Sequence, residues 1–121
     1  MWPTRLSRKQ EQGRQWEAVA LAYLERHGLV AVEANFRCKL GEIDLILRDG
    51  ATLVFVEVRQ RAAGAPVSAA ASIGPAKIRR IIRAAQVYLQ QLDRLPACRI
   101  DVIAIDGDNI EWLRNAIETS V

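Results

Sequence analysis

Histidine, cysteine, aromatic side chains and long apolar runs are all scarce in this chain, and each scarcity removes a class of function. One histidine, His27, leaves no set of ligands for a Cys/His zinc finger and no spare base for a Ser-His-Asp triad. Two cysteines, Cys38 and Cys98, are too few for a disulfide framework; both read as small, reduced core residues, and a cytoplasmic setting is expected. Aromatics make up 6% of the residues and show no spaced stacking pattern of the kind that reads single-stranded bases. No run approaches the ~20 apolar residues that span a bilayer, so no membrane partner is expected. The opening stretch, MWPTRLSRKQEQGRQ, is basic but has no apolar core and does not read as a signal peptide.

What is present is an ordinary globular composition. The 121 residues are 50% hydrophobic and 26% charged, with a mean hydropathy of +0.00. That is enough chain for one domain with a core of its own. Residues 1–12 read as a basic N-terminal segment, expected to be mobile, and residues 13–121 as a single domain. The net charge of +3 is unevenly spread. Residues 1–58 carry 8 basic and 8 acidic side chains, residues 59–94 carry 7 and 1, and residues 95–121 carry 2 and 5. The middle block is therefore net +6, which is either a solvated helix surface or a face for phosphates.

Periodicity gives the elements. Trp16, Val19, Ala20, Tyr23 and Leu24 form an apolar stripe on a first helix that starts after Ser7 and ends near His27-Gly28. There His27 reads as a residue complementing the helix dipole rather than a metal ligand. An extended stretch follows over Leu29–Arg37. Strand-like runs at Glu42–Arg48 and Ala51–Arg61 flank Asp49-Gly50, a two-residue turn signal. A small-residue loop, Ala62–Ser72, leads to a second helix that runs to about Leu92. Ser72 is its expected N-cap and Ile78, Ile81, Ile82, Ala85, Leu89 and Leu92 its buried stripe. Cys98–Asp106 reads as a buried strand, Asp106-Gly107-Asp108 as a turn, and Ile110–Leu113 as a short last strand. The order predicts an α/β fold with a mixed sheet, because a helical crossover lets the fourth strand run parallel to an earlier one.

With Asp49-Gly50 as the turn, Phe55 lies opposite Asp44 and Glu57 opposite Glu42. Glu42, Asp44, Glu57 and Arg59 then share one face, with Asp44 and Glu57 as diagonal neighbours. Ile43, Leu45, Leu47, Val54, Val56 and Val58 make the other face apolar. Three acids on one face of a hydrophobic hairpin repel one another. A divalent cation relieves this, and so do ordinary ion pairs with Arg48, Arg59 or Arg61; the pattern alone does not choose between them. Glu17 sits at the edge of the first helix's stripe, where its carboxylate can reach the sheet.

GEIDLI (41–46), FVEVRQR (55–61), the amphipathic helix behind a small-residue loop and CRIDVIAI (98–105) together resemble the YraN family of uncharacterised bacterial proteins. The likeness runs through WEAVALAYLERHGL and NFR and covers roughly ~85% of the chain. It implies membership of the PD-(D/E)xK, restriction-endonuclease-like superfamily, with a core similar to archaeal Holliday-junction resolvases: α-β-β-β-α-β, with a mixed central sheet flanked by helices. It implies a metal-dependent endonuclease acting on DNA, including branched DNA, or alternatively a catalytically inactive nuclease-fold module that binds nucleic acid. By the same resemblance Asp44, Glu57, Arg59 and Glu17 are the catalytic positions. Mg²⁺ or Mn²⁺ would be held by Asp44, Glu57 and the Val58 carbonyl, with Glu17 and Glu42 as further ligands. Arg61, Lys77, Arg79, Arg80 and Arg83 would bind the nucleic-acid backbone, and a homodimer is admitted. Two positions depart from the motif. Ile43 stands in the proline place, and Arg59 stands where lysine is usual; arginine stays charged and does not serve as a general base.

Overall fold

The computed structural model describes residues 8–118. Helix α1 spans Arg8–Arg26 and is followed by strands β1 (Val30–Cys38), β2 (Gly41–Asp49) and β3 (Thr52–Arg61). After a 3₁₀ turn at Ala70–Ser72 come helix α2 (Pro75–Gln90) and strands β4 (Cys98–Asp106) and β5 (Asn109–Ile117). This is the expected α-β-β-β-α-β core followed by the expected last strand. Of the N-terminal segment, residues 1–7 lie outside the described residues, and α1 begins at Arg8. No helix among the described residues is long and apolar enough to cross a membrane.

The strands form one sheet in the order β1-β2-β3-β4-β5. β3 pairs antiparallel with β2 and parallel with β4, so the crossover through α2 closes as expected. The helices cover opposite faces. Ala20 and Leu24 of α1 are fully buried over Leu45, Leu47, Val54, Val56, Ile103 and Ile105. Ile81, Ala84, Ala85 and Tyr88 of α2 close over Phe36, Ile46, Phe55, Ile100 and Val102. Because both faces are covered, Leu53–Val56 is a continuous apolar run rather than an alternating one.

Several expectations are corrected here. Both faces of the β2–β3 hairpin are apolar over most of their length, so the acids occupy only its far end. Ile43 packs in the α2 cluster, not beside Leu45 and Leu47. Val19 is 38% exposed and Leu21 takes its place against the sheet, and Leu92 lies beyond the end of α2. Gly74, not Ser72, is the N-cap residue of α2, with Pro75 in the first turn. β5 is longer than Ile110–Leu113. Cys98 is exposed, whereas Cys38 is half-buried against the core.

The hairpin register also differs. Asp49 pairs with Thr52, which makes Gly50-Ala51 the two-residue loop. Gly50 has φ +60° at the first loop position, as a II′-type turn requires. Every pairing therefore moves by two residues relative to the expected one. A shift of two keeps each side chain on its face. Extended one rung past its last pair, Leu45↔Val56, this register sets Asp44 against Glu57 rather than against Phe55.

Candidate metal and nucleic-acid site

The β2–β3 ladder stops at Leu45↔Val56. Beyond it the Val58 N–H donates to Asp44 Oδ2 at 2.8 Å, so a side-chain oxygen receives the N–H next to the last rung. A recess of about 370 Å³ opens at this end of the sheet. Gln12, Trp16 and Glu17 of α1 wall one side, Lys77 of α2 another, and Glu42, Asp44, Glu57 and Arg59 lie on the strands between them.

Glu57 is the most constrained group. It is 2% exposed, and its Oε1 has no hydrogen-bond partner. Burial first, and then the charge of Asp44 and hydrogen bonding to it, push the Glu57 carboxyl up to about 9, against the opposing pull of Lys77 and Arg59. Glu17 is pushed up to about 7, again by burial first and then by the Asp44 charge, while a hydrogen bond from Asn35 opposes the rise. Asn35 lies between the Ala34↔Leu45 and Phe36↔Ile43 rungs and has φ 55°. That left-handed conformation is one that asparagine tolerates. The sequence reading did not single out Asn35.

The counter-ions are not the expected arginines. Among the described residues none of Arg48, Arg59 and Arg61 forms an ion pair with these carboxylates. Arg59 Nε donates to Ser72 Oγ at 3.1 Å and its terminal nitrogen to the Ser72 carbonyl at 3.2 Å, which ties β3 to the end of the 62–72 loop. Arg61 donates to the Gln60 carbonyl at 2.7 Å. Lys77 supplies the positive charge instead: its Nζ lies 3.7 Å from Glu57 Oε2 and 3.8 Å from Glu42 Oε1. Glu42 also pairs with Arg37 at 3.4 Å. Helix geometry explains how Lys77, expected to bind the nucleic-acid backbone, reaches these carboxylates. It is one turn before Ile81, at the edge of the buried stripe, and its flexible stem carries the ammonium back to the sheet.

The structure thus brings together Glu17, Glu42, Asp44, Glu57, Val58, Arg59, Arg61 and Lys77. Arg79 and Arg83 are exposed and line no recess here, and Arg80 lines a neighbouring one. No three His, Cys, Asp or Glu side chains among the described residues converge closely enough to hold an ion. What the geometry offers a cation is the Asp44–Glu57 pair, with its unpartnered buried oxygen.

Comparison with known proteins adds one consistent result. The family model described as "Uncharacterised protein family UPF0102" matches residues 16–105. A UPF0102 protein of Herminiimonas arsenicoxydans is 53% identical over 121 residues, covering 97% of this chain and 98% of that protein. One from Cupriavidus metallidurans is 60% identical over 108 residues, covering 88% and 81%. One from a Janthinobacterium species is 56% identical over 110 residues, covering 91% and 89%.

Proposed function

We propose, from the premise that the chain belongs to the uncharacterised protein family UPF0102, the YraN family, that it is a divalent-metal-dependent phosphodiesterase acting on DNA. The observation that carries this reading is the buried Glu57 carboxyl, with one oxygen unpartnered, lying beside the Asp44 carboxyl. A buried carboxylate with an unsatisfied oxygen beside a second carboxylate is costly, and a cation between them removes the cost. The donor set fits Mg²⁺ or Mn²⁺. Mg²⁺ is commonly bound through one or two carboxylates and keeps several waters. Asp44, Glu57 and the Val58 carbonyl are the residues that would hold it. When bound, such an ion supplies Lewis acidity and a water of lowered pKa.

The remaining roles follow from the chain's own groups. Glu17, titrating near neutral pH, is suited to taking or giving a proton at the reacting centre. Arg59 is fixed by Ser72 and always charged, so it can hold a phosphate but not act as base. Glu42 is engaged by Arg37 and Lys77 and is better placed to position Lys77 than to bind metal. DNA is the proposed partner through its phosphates, and a homodimer belongs to the same proposal.

Incubation of linear DNA, branched DNA and RNA with Mg²⁺ or Mn²⁺ tests the reading. Cleavage is expected, and Asp44→Ala or Glu57→Ala should lower it by at least about 100-fold, a loss of roughly 3 kcal/mol in transition-state stabilisation. Activity that survives both substitutions belongs to another site or another protein.

One observation favours a second reading, a nuclease-fold module that binds nucleic acid without cutting it. Lys77 already places a positive charge 3.7 Å from Glu57 Oε2, from outside the strand motif. That reading expects no calorimetric signal for millimolar Mg²⁺ or Mn²⁺, and salt-dependent DNA binding that survives Asp44→Ala.

A further inference from the structure

The β1–β2 turn and the first turns of α2 meet backbone against backbone. A Cβ placed on Gly41 would stand 2.4 Å from the Arg80 carbonyl oxygen. This close seat walls a second recess, of about 560 Å³, whose charge is the reverse of its neighbour's. Arg37, Lys39, Lys77 and Arg80 line it, and Glu42 is the one acid in its lining. Glu42 is shared between Arg37 and Lys77. Lys39 and Arg80 have no ion-pair partner within 4 Å among the described residues, and both are exposed. The Glu42–Lys77 pair also lines the carboxylate recess. The acidic and basic recesses therefore lie side by side with that ion pair as their common wall.

We infer that the basic recess is a phosphate subsite, taking the backbone phosphate adjacent to the one that lies at Asp44 and Glu57. The inference deepens the proposed function and rests on it for the identity of the ligand. Arginine offers a planar fork and lysine a point charge to a tetrahedral anion, and both kinds are present at one concave position. A strand crossing the Glu42–Lys77 wall passes from a site that needs a cation to one that needs an anion. The assignment divides the basic residues of α2 into two classes. Lys77 and Arg80 serve the subsite, and Arg79 and Arg83 do not.

The test uses the full chain and two double variants that remove equal charge from exposed positions, Lys39→Gln with Arg80→Gln and Arg79→Gln with Arg83→Gln. Amide chemical shifts are followed on titration with inorganic phosphate and with the dinucleotide dTpT. Affinity for a labelled duplex is measured against salt in the presence of a chelator. The expected result is shifts at residues 37–42 and 77–80. The first double variant should lose about tenfold in duplex affinity, with a salt slope shallower by about 1–2. The second should stay within about threefold of the unmodified chain. Equal loss in both variants overturns the subsite in favour of a diffuse basic field, and binding of inorganic phosphate without dTpT overturns it in favour of a free anion. The two claims fail separately. Recess shifts and selective loss with no cleavage under any divalent ion leave the subsite standing and remove the nuclease. Cleavage that both double variants impair equally does the reverse. No duplex or single-strand binding at low salt overturns both.

Discussion

At the scale of the residue, two buried acids show how the same type of side chain can be settled in opposite ways. Asp101 is fully buried on β4, yet every need is met. Arg99 Nε donates to its two oxygens at 3.0 and 3.2 Å, Trp112 Nε1 donates at 2.9 Å and the Asn115 N–H at 2.8 Å. Arg99 reaches on to Asp49 at 2.9 Å and so ties β4 to the hairpin turn. Glu57 is almost as buried but keeps an oxygen without a partner. The contrast separates a fully satisfied buried acid from an unsatisfied one, which composition could not do. Asp101→Ala leaves the Trp112 Nε1–H and the Asn115 N–H without their acceptor, though Arg99 keeps Asp49, and should cost about 1–3 kcal/mol in urea unfolding. Asp101→Asn keeps the shape but loses the charge and should fall between this variant and the unmodified chain. Trp112, whose place the sequence left open, is a structural residue: it bonds Asp101, lies 6.5 Å from Tyr23 between ring centroids, and carries Arg114 over its face at 3.9 Å.

At the scale of the element, glycine positions distinguish a helix that tolerates change from a turn that does not. Gly13 lies within α1 with nothing within 4 Å of an added Cβ. Gly13→Ala should therefore gain about 0.5–1 kcal/mol from helix propensity alone. Gly41 is pressed against the Arg80 carbonyl, so Gly41→Ala must push the β1–β2 turn away from α2. A loss of about 1–3 kcal/mol is expected, as for other overpacking changes. Paired thermal melts of the two variants measure both signs. The hairpin shows how much of an element was legible. Asp49-Gly50 correctly announced a tight two-residue turn, and Glu42, Asp44, Glu57 and Arg59 do line one recess, although Ile43 breaks the period-two alternation of β2 by packing in the α2 cluster. The register came out two residues away because Gly50 takes the first loop position rather than the second. Nothing local in the sequence distinguishes these two placements. The error changes which residues face one another across the hairpin. The Arg59–Ser72 contact spans a loop whose path local pattern does not specify. Lys77 was legible as a basic residue but not as the partner of Glu57.

At the scale of the whole molecule, the cluster makes stability depend on pH, and the proposed ion would add a dependence on cations. The Glu57 carboxyl stands at about 9 against an ordinary 4.5, and Glu17 at about 7. A group whose folded pKa is raised binds its proton more tightly when folded. Its contribution is complete below the unfolded pKa and is lost as pH rises through the folded one. Without divalent ions the protein should therefore become less stable between pH 5 and pH 9, seen as a Tm that falls as pH rises. Glu57→Gln should flatten most of that slope, and millimolar Mg²⁺ or Mn²⁺ should raise Tm most at the alkaline end, where binding to the ionised pair stabilises the folded state by mass action. Thermal scans in chelator and in metal across that range check both. A Tm that rises with pH in chelator would contradict the protonated state assigned to Glu57.

Order of elements, strand boundaries at β4, the parallel return through α2 and the acidic face of the hairpin were all determined by the sequence, because each follows from periodicity and turn chemistry within a short window. Tertiary structure alone decided which charges meet. Lys77 and Glu57, twenty positions apart, come within 3.7 Å because α2 packs on the sheet at Ile81 and Ala84. Arg59 and Ser72 are brought together in the same way by the loop's return to β3. Pair distances between separate elements depend on packing, and packing sums contacts that no local pattern contains.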